Sequence, residues 1–250
     1  MRSIKSPLLA AHSNLLHAFT TKEGGFSQAP FTGNNLAYHV KDKVYTVDKN
    51  HAQLAKYLNY SQNSLIRMNQ VHGDSIVEIT KENKYLDIPS CDALITNLIN
   101  IPLMVMVADC LPILLYDPIQ RVIAVVHAGR AGVFNAIVPK TIALMQTSYL
   151  CNPVNIQVVL GPSIHKCCYE VGKEIKEEVY EKSYQYAITE EKNQYHLDLI
   201  AIVKHQLKIS NIQKNNIEIS ELCTACNTDL LYSYRAEKEC GRFAGIIMLK

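Results

Sequence analysis

The stretch RVIAVVHAGRAG, from Arg121 to Gly132, decides how this chain reads. Apolar, mostly β-branched residues run from Val122 to Val126 and stop on His127, and two glycines and an arginine follow. Such a run reads as a buried strand. A second run, LPILLY, lies just upstream, and Asp117-Pro118-Ile119-Gln120 between the two has the Asp and Pro of a turn. If those four residues form the loop of an antiparallel hairpin, Tyr116 faces Arg121, Leu111 faces Val126 and Cys110 faces His127. Opposed residues place their Cβ atoms about 4.5–5.5 Å apart on one face. A slip of one residue would put them on opposite faces.

A thiol beside an imidazole admits three readings. One is core filling, since buried Cys is common and a lone strand His is usually a satisfied structural residue. The second is a nucleophile, Cys110, with His127 as its base. The third is a shared metal, because thiolate plus imidazole suits zinc or copper. A metal needs a third ligand, and His72 is the natural candidate. It lies where LIRMNQVH and SIVEI, two β-like runs separated by Gly73 and Asp74, read as a hairpin with His72 near its tip. Three protein ligands leave a position open, which is the catalytic pattern. Gly129 and Gly132 let backbone pass close to a ligand, a helix is expected just after them, and Arg130 at its start suits an anion. Asp109, beside Cys110, could orient a ligand or cap a local turn.

Elsewhere the pattern mixes helices and strands without strict alternation. A weak strand is expected around His17–Thr20, and apolar spacing predicts a helix over Val47–Leu58. Leu103–Val107 and IQVVL read as strands. Helices are expected over Ala136–Met145, Lys173–Lys182 and Leu197–Leu207. NIEIS, LLYSYR and AGIIML read as C-terminal strands, with Tyr232 and Tyr234 packing on alternate positions. The fold class is therefore α+β, with mixed β-sheets flanked by helices. No linker or repeat divides the chain, so one domain over residues 1–250 is expected.

The chain has 250 residues, 48% of them hydrophobic, which suffices for a substantial core. The net charge of +2, without a clustered basic field, argues against nucleic acid as a partner. The N-terminal apolar run is broken by His12, Ser13 and Asn14 and does not read as a signal peptide. IPLMVMVADCLPILLY contains two prolines and Asp109 and falls short of a membrane span. A soluble cytoplasmic protein, monomeric and without membrane contact, is the expectation, and its eight cysteines should then be reduced. Cys223-Thr-Ala-Cys226 lacks a second pair at suitable spacing, and adjacent Cys167 and Cys168 read as a poor chelator, so all four are expected to be structural. Arg235 and Arg242 are plausible partners for a substrate or carboxylate.

NQVHG around His72, ADCLPILLYD around Cys110 and HAGRAG around His127 closely resemble motifs of the bacterial laccase-domain family. That family is also described as multi-activity purine nucleoside phosphorylases of the YfiH type. Further likeness runs through TTKEGGFS, NNLAYHVKD, CDALIT, GPSIHKCCYEVG and GRFAGIIML. The resemblance implies a mixed-sheet α+β fold shared with cysteine deamidase toxins. It implies a zinc ion, with copper as the older alternative, held by His72, Cys110 and His127. It implies phosphorolysis of adenosine, inosine and methylthioadenosine with phosphate as co-substrate, and deamination of adenosine. Copper-dependent polyphenol oxidation and editing of peptidoglycan precursors by a Cys/His hydrolase are the alternatives. Lys22, Asn35, Gln70, Asp109 and Arg130 are the expected substrate contacts, and Cys223 could line the site. The chain departs from the family where Arg130 stands in place of a tryptophan and where Lys22 and His51 stand in place of arginines. These changes bear on substrate preference, and Arg130 could replace a lost phosphate contact.

Overall fold

The computed structural model describes residues 1–84, 86–191 and 194–250. The hairpin read from the sequence sits at the centre of a six-stranded mixed sheet. Leu111–Asp117 and Val122–Ala128 pair antiparallel in its middle. Gln157–Leu160 joins Leu111–Asp117 antiparallel, and Ile217–Ile219 lies parallel beyond it. On the other side Ala93–Thr96 pairs antiparallel with Val122–Ala128, and Ile76–Glu78 lies parallel at the edge.

The central runs are continuously apolar because both faces of the sheet are covered. Ile113, Leu115, Ala124 and Val126 face a core closed by the helices Ile137–Tyr149 and Leu199–Ile209. Leu114, Tyr116, Ile123 and Val125 face a second core shared with a four-stranded sheet. That sheet is antiparallel throughout, in the order Ser3–Ile4, Leu15–Thr20, Phe243–Leu249, Leu103–Val107. Its outer face, through Leu16, Met104 and Ile246, packs on Leu54, Ala55 and Leu58 of the helix Val44–Leu58. A helix, two sheets and a helical layer therefore stack in succession, the α+β arrangement with mixed sheets expected from the sequence. A small antiparallel sheet of Glu170–Val171, Ile188–Glu191 and Gln194–Leu197 stands apart from these two. Among the described residues no helix is long and apolar enough to cross a membrane.

Three local expectations change. The central hairpin has a different register: Asp117 faces Val122, Leu111 faces Ala128, and Pro112 rather than Cys110 faces His127. The turn therefore spans residues 118–121. Asp117 leaves the loop because its Oδ1 accepts the backbone N–H groups of Ile119 and Gln120, at 2.8 and 3.1 Å. The shift is two residues, so the faces are preserved and Cys110 stays on the side of His127. Next, residues 65–72 form no hairpin with Ile76–Glu78. They make single parallel bridges, Ile66 with Leu103 and Asn69 with Ser90. Finally, LLYSYR is not a strand. The Ser233 hydroxyl accepts from the N–H of Ala236 and caps the short helix Tyr234–Glu237. Tyr232 is buried and donates its hydroxyl to the carbonyls of Phe31 and Thr32, whereas Tyr234 is exposed.

The helices otherwise follow the apolar spacing with small changes at their ends. Val44–Leu58 starts three residues before the expected position. Lys173–Glu181 agrees closely, and Leu199–Ile209 is displaced by the Asp198 cap. Ile137–Tyr149 is preceded by a separate short helix, Arg130–Phe134, which starts directly after Gly129.

Candidate metal centre

His127, one residue before the end of its strand, lies on the face that carries Ile123 and Val125, toward the second core. At that end of the sheet the core opens into a cavity of about 780 Å³. Cys110 reaches it from the segment between Leu103–Val107 and Leu111–Asp117. His72 enters from the loop before Ile76–Glu78. The donor atoms of His72, Cys110 and His127 all lie within 4.8 Å of one another. The two imidazoles meet edge to face, with centroids 4.7 Å apart. His127 is buried, Cys110 half-buried and His72 exposed. Gly129 makes room for them: a Cβ there would stand 3.2 Å from the His72 ring and 3.4 Å from the Cys110 sulfur.

Asp92 organises the cluster. Its Oδ1 lies 2.7 Å from Nδ1 of His127 and accepts the backbone N–H of His72 at 3.0 Å. Its Oδ2 accepts the N–H groups of Gly73 and Val71 at 2.7 and 3.3 Å. These bonds hold His72 in a left-handed conformation, φ 58°, which costs a non-glycine residue energy that the surroundings must supply. Burial would raise the Asp92 carboxyl, but the bonds from His127 and the loop N–H groups lower it. Asp92 also explains why the chain turns away at His72 instead of folding back as a hairpin.

With Nδ1 of His127 facing Asp92, Nε2 is the nitrogen left for Cys110. Burial alone would raise the Cys110 thiol, but His127 and His72 bring it down to about 6. Burial would lower His127, while Cys110 and Asp92 push it up to about 9. The site thus stabilises a thiolate beside charged or metal-bound imidazole. The donor set fits a metal: one thiolate and two imidazoles converge from three segments, His127 has an anionic partner behind it, and one side faces the cavity.

The other residues expected at the site divide. Gln70, Asp109 and Arg130 line the cavity. Gln70 spends both ends of its amide on the backbone of Met106, at 2.7 and 2.9 Å. Asp109 also has its carboxylate committed, to the hydroxyls of Thr224 and Ser233 and the N–H of Arg235, at 2.6, 2.7 and 2.6 Å. It braces the wall. Arg130 makes an ion pair with Glu178. Lys22 and Asn35 are not among the lining residues. Lys22 lies 3.8 Å from Glu237, and Asn35 is buried, bonding Ala37, Asp42 and the N–H of Arg242. His51 and Cys223 do not line the cavity either; His51 is buried against the carbonyl of Leu36. Arg235 and Arg242 do line it. Tyr169, Tyr234 and Lys238 were not singled out as wall residues by the sequence. Asp92 was also missed, although the register places it across from His127, since Ala93 pairs with Val126.

The family model described as multi-copper polyphenol oxidoreductase laccase matches residues 16–250. The chain is 31% identical to purine nucleoside phosphorylase YlmD of Bacillus subtilis, over 96% of this chain and 90% of that protein. It is 35% identical to a purine nucleoside phosphorylase of Corynebacterium glutamicum, over 92% of this chain and 93% of that one. Among solved structures, YlmD from Geobacillus stearothermophilus superposes with a TM-score of 0.91 at 29% identity, covering 98% of this chain and 94% of the other. The protein YfiH from Bacillus licheniformis gives a TM-score of 0.90 at 29% identity, covering 94% and 93%.

Proposed function

The chain belongs to the multi-copper polyphenol oxidoreductase laccase family, and we propose that it is a single-domain cytoplasmic enzyme that cleaves purine nucleosides with phosphate. The observation that carries this reading is the convergence of His72, Cys110 and His127 on a cavity rimmed by Arg130, Arg235, Lys238 and Arg242. The volume falls in the range of small-molecule sites, about 300–1,000 Å³. The cationic rim suits an anionic co-substrate, and Tyr169 and Tyr234 offer aromatic faces for a purine. Relatives named purine nucleoside phosphorylase support the substrate class.

His72, Cys110 and His127 would hold the metal, for which zinc is our assignment. When bound it supplies Lewis-acid polarisation of an oxygen. The remaining work falls to the chain. Asp92 keeps the proton of His127 on Nδ1, so that Nε2 is free to act as a donor atom. Arg130 holds phosphate against the sugar. A phosphate oxygen bonds to C1′ as the bond from C1′ to the base breaks, and the base leaves with the proton that the phosphate gives up, giving the sugar 1-phosphate. Adenosine, inosine and methylthioadenosine share that bond. With water in place of phosphate and the 6-carbon of adenine as target, the same cavity would support deamination of adenosine: the water oxygen bonds to C6, the bond from C6 to the amino nitrogen breaks, and ammonia leaves with one proton of the water while the other stays on the base, giving inosine.

Polyphenol oxidation ranks lower, since multi-copper oxidation needs several histidine-rich centres. Among the described residues the only other converging donor group is all cysteine. The lowered Cys110 thiol favours one second reading, a metal-free hydrolase with Cys110 as nucleophile and His127 as base. Iodoacetamide would then abolish turnover while chelators would not.

Chromatography of adenosine and inosine incubated with the protein, with and without phosphate, tests the proposal. Phosphate-dependent release of base by the wild type and not by Cys110→Ala is the expected result. No base release by zinc-loaded wild type would overturn it.

A further inference from the structure

Four cysteines take no part in the candidate site. Cys167 and Cys168 lie in the turn that follows Ser163 and Ile164, and Cys223 and Cys226 lie in a second turn more than fifty residues later. The fold brings all four sulfurs within 4.8 Å of one another. The Cys226 sulfur is 3.3 Å from that of Cys168 and 3.7 Å from that of Cys167. All four are free thiols. A sulfur–sulfur bond is about 2.05 Å long. Four sulfurs around one zinc at about 2.3 Å stand about 3.8 Å apart. The two short separations are too long for a disulfide and close to that spacing, and no pair of the four exceeds 4.8 Å.

The surrounding backbone agrees. The N–H of His165 points at the Cys223 sulfur at 3.4 Å, satisfying a lone pair that a metal would leave free. Cys168 closes its own turn, N–H to the carbonyl of His165, at 3.0 Å. The adjacent pair and the CxxC pair chelate poorly when each is taken alone. The parallel bridge between Ser163 and Cys223 brings them together, with the N–H of Thr224 donating to the carbonyl of Ser163 at 2.9 Å.

We propose that Cys167, Cys168, Cys223 and Cys226 form a second metal site, a closed tetrathiolate for zinc. All four coordination positions come from protein, so the site is structural and leaves no position for substrate. It clamps the two loops behind the cavity wall. One loop gives Thr224 to the Asp109 carboxylate and the other gives the N–H of Ile164 to the Asp109 carbonyl, at 2.6 and 2.8 Å. The Cys168 carbonyl accepts from the Arg235 guanidinium at 3.3 Å. The zinc would therefore hold the wall next to Cys110 without touching the candidate centre.

The test counts metal in a variant that lacks the candidate centre. The double variant His72→Ala with Cys110→Ala, purified from zinc-supplemented culture, should retain one zinc per chain by elemental analysis. Replacing that zinc with cobalt should give the intense visible bands and thiolate-to-cobalt charge transfer of a tetrahedral sulfur site. Adding Cys167→Ser and Cys226→Ser should abolish the bound metal and the bands. Because those changes could also unfold the chain, native mass spectrometry of the double variant supplies the second measurement. A mass gain of one zinc supports the site. A metal-free chain with four thiols open to alkylation, a disulfide between Cys168 and Cys226, or iron as the bound metal each overturns it.

Discussion

Asp92 and His127 face each other across neighbouring strands, with Oδ1 2.7 Å from Nδ1 and both side chains buried. The carboxylate also collects the N–H groups of Val71, His72 and Gly73. One side chain therefore sets the tautomer of one candidate ligand and the backbone of another. Asp92→Asn keeps the shape and breaks this arrangement. An amide has only one accepting oxygen. If it faces His127, its NH₂ meets the N–H groups of Val71 and Gly73, and if it faces them, its NH₂ meets Nδ1 of His127. Metal affinity should fall about 10–100-fold, the usual cost of losing a partner behind a ligand. Competition with a coloured chelator measures this. Unchanged affinity would show that Asp92 does not orient the ligands.

Arg130 supplies the second prediction. It lines the cavity but is paired with Glu178, and its guanidinium lies 5.6 Å from the Phe134 ring. If it binds phosphate, Glu178 competes with that anion. Glu178→Gln should lower KM for phosphate, and Arg130→Ala should raise it about 10-fold or more, as expected for a lost charged hydrogen bond of about 1.5–3 kcal/mol. Initial rates against phosphate concentration read both. If neither variant moved KM, Arg130 would not be the phosphate contact.

The pattern of legible and illegible parts follows from the range of the interactions. The convergence of His72, Cys110 and His127 was legible because each stands in a short motif. The central strands were readable because burial on both faces makes them uniformly apolar. The register was missed by two residues because Asp117 closes the turn with its own side chain, which the apolar pattern does not reveal. Asp92 was invisible because its role depends on pairing between strands about thirty residues apart. The four-cysteine cluster is illegible for a related reason. Each pair looks inadequate alone, and the bridge between Ser163 and Cys223 that joins them has no local signature. The Leu199–Ile209 helix start moved because the Asp198 cap decides it, and LLYSYR became a short helix because Ser233 caps one there.

Gly161 tests how tightly the two sheets are joined. It follows Gln157–Leu160, and a Cβ built on it would overlap the buried ring of Phe19 from the four-stranded sheet. Its N–H donates to the carbonyl of Pro112 at 2.8 Å, so the backbone has little room to move away. Gly161→Ala should destabilise the fold by about 1–3 kcal/mol, the usual cost of overpacking. For a chain of this size that is a fall of about 2–4 °C in Tm per kcal/mol. Thermal denaturation followed by circular dichroism would show it. An unchanged Tm would mean that Phe19 can move aside.

The last prediction concerns acid. His17 and His51 are both buried and both held neutral. Burial, aided by nearby Lys5, lowers His17 to about 4, and its Nε2 accepts the N–H of Ser6 at 2.9 Å. Burial lowers His51 to about 4 as well. In the unfolded chain each returns to about 6.5. Both folded values are depressed, so the unfolded state binds more protons below pH 6.5. Their contribution is complete above that pH and is lost as the pH falls from about 6.5 toward about 4. At 1.36 kcal/mol per pKa unit, each histidine should account for about 2 kcal/mol of lost stability by pH 5 and about 3 kcal/mol by pH 4. Urea denaturation at pH 7.5 and pH 5 should therefore differ by about 4 kcal/mol from these two groups. His51→Gln should remove about half of that difference, because glutamine can still donate to the carbonyl of Leu36 and does not titrate. A flat stability profile between these pH values would show that neither histidine is held neutral by the fold.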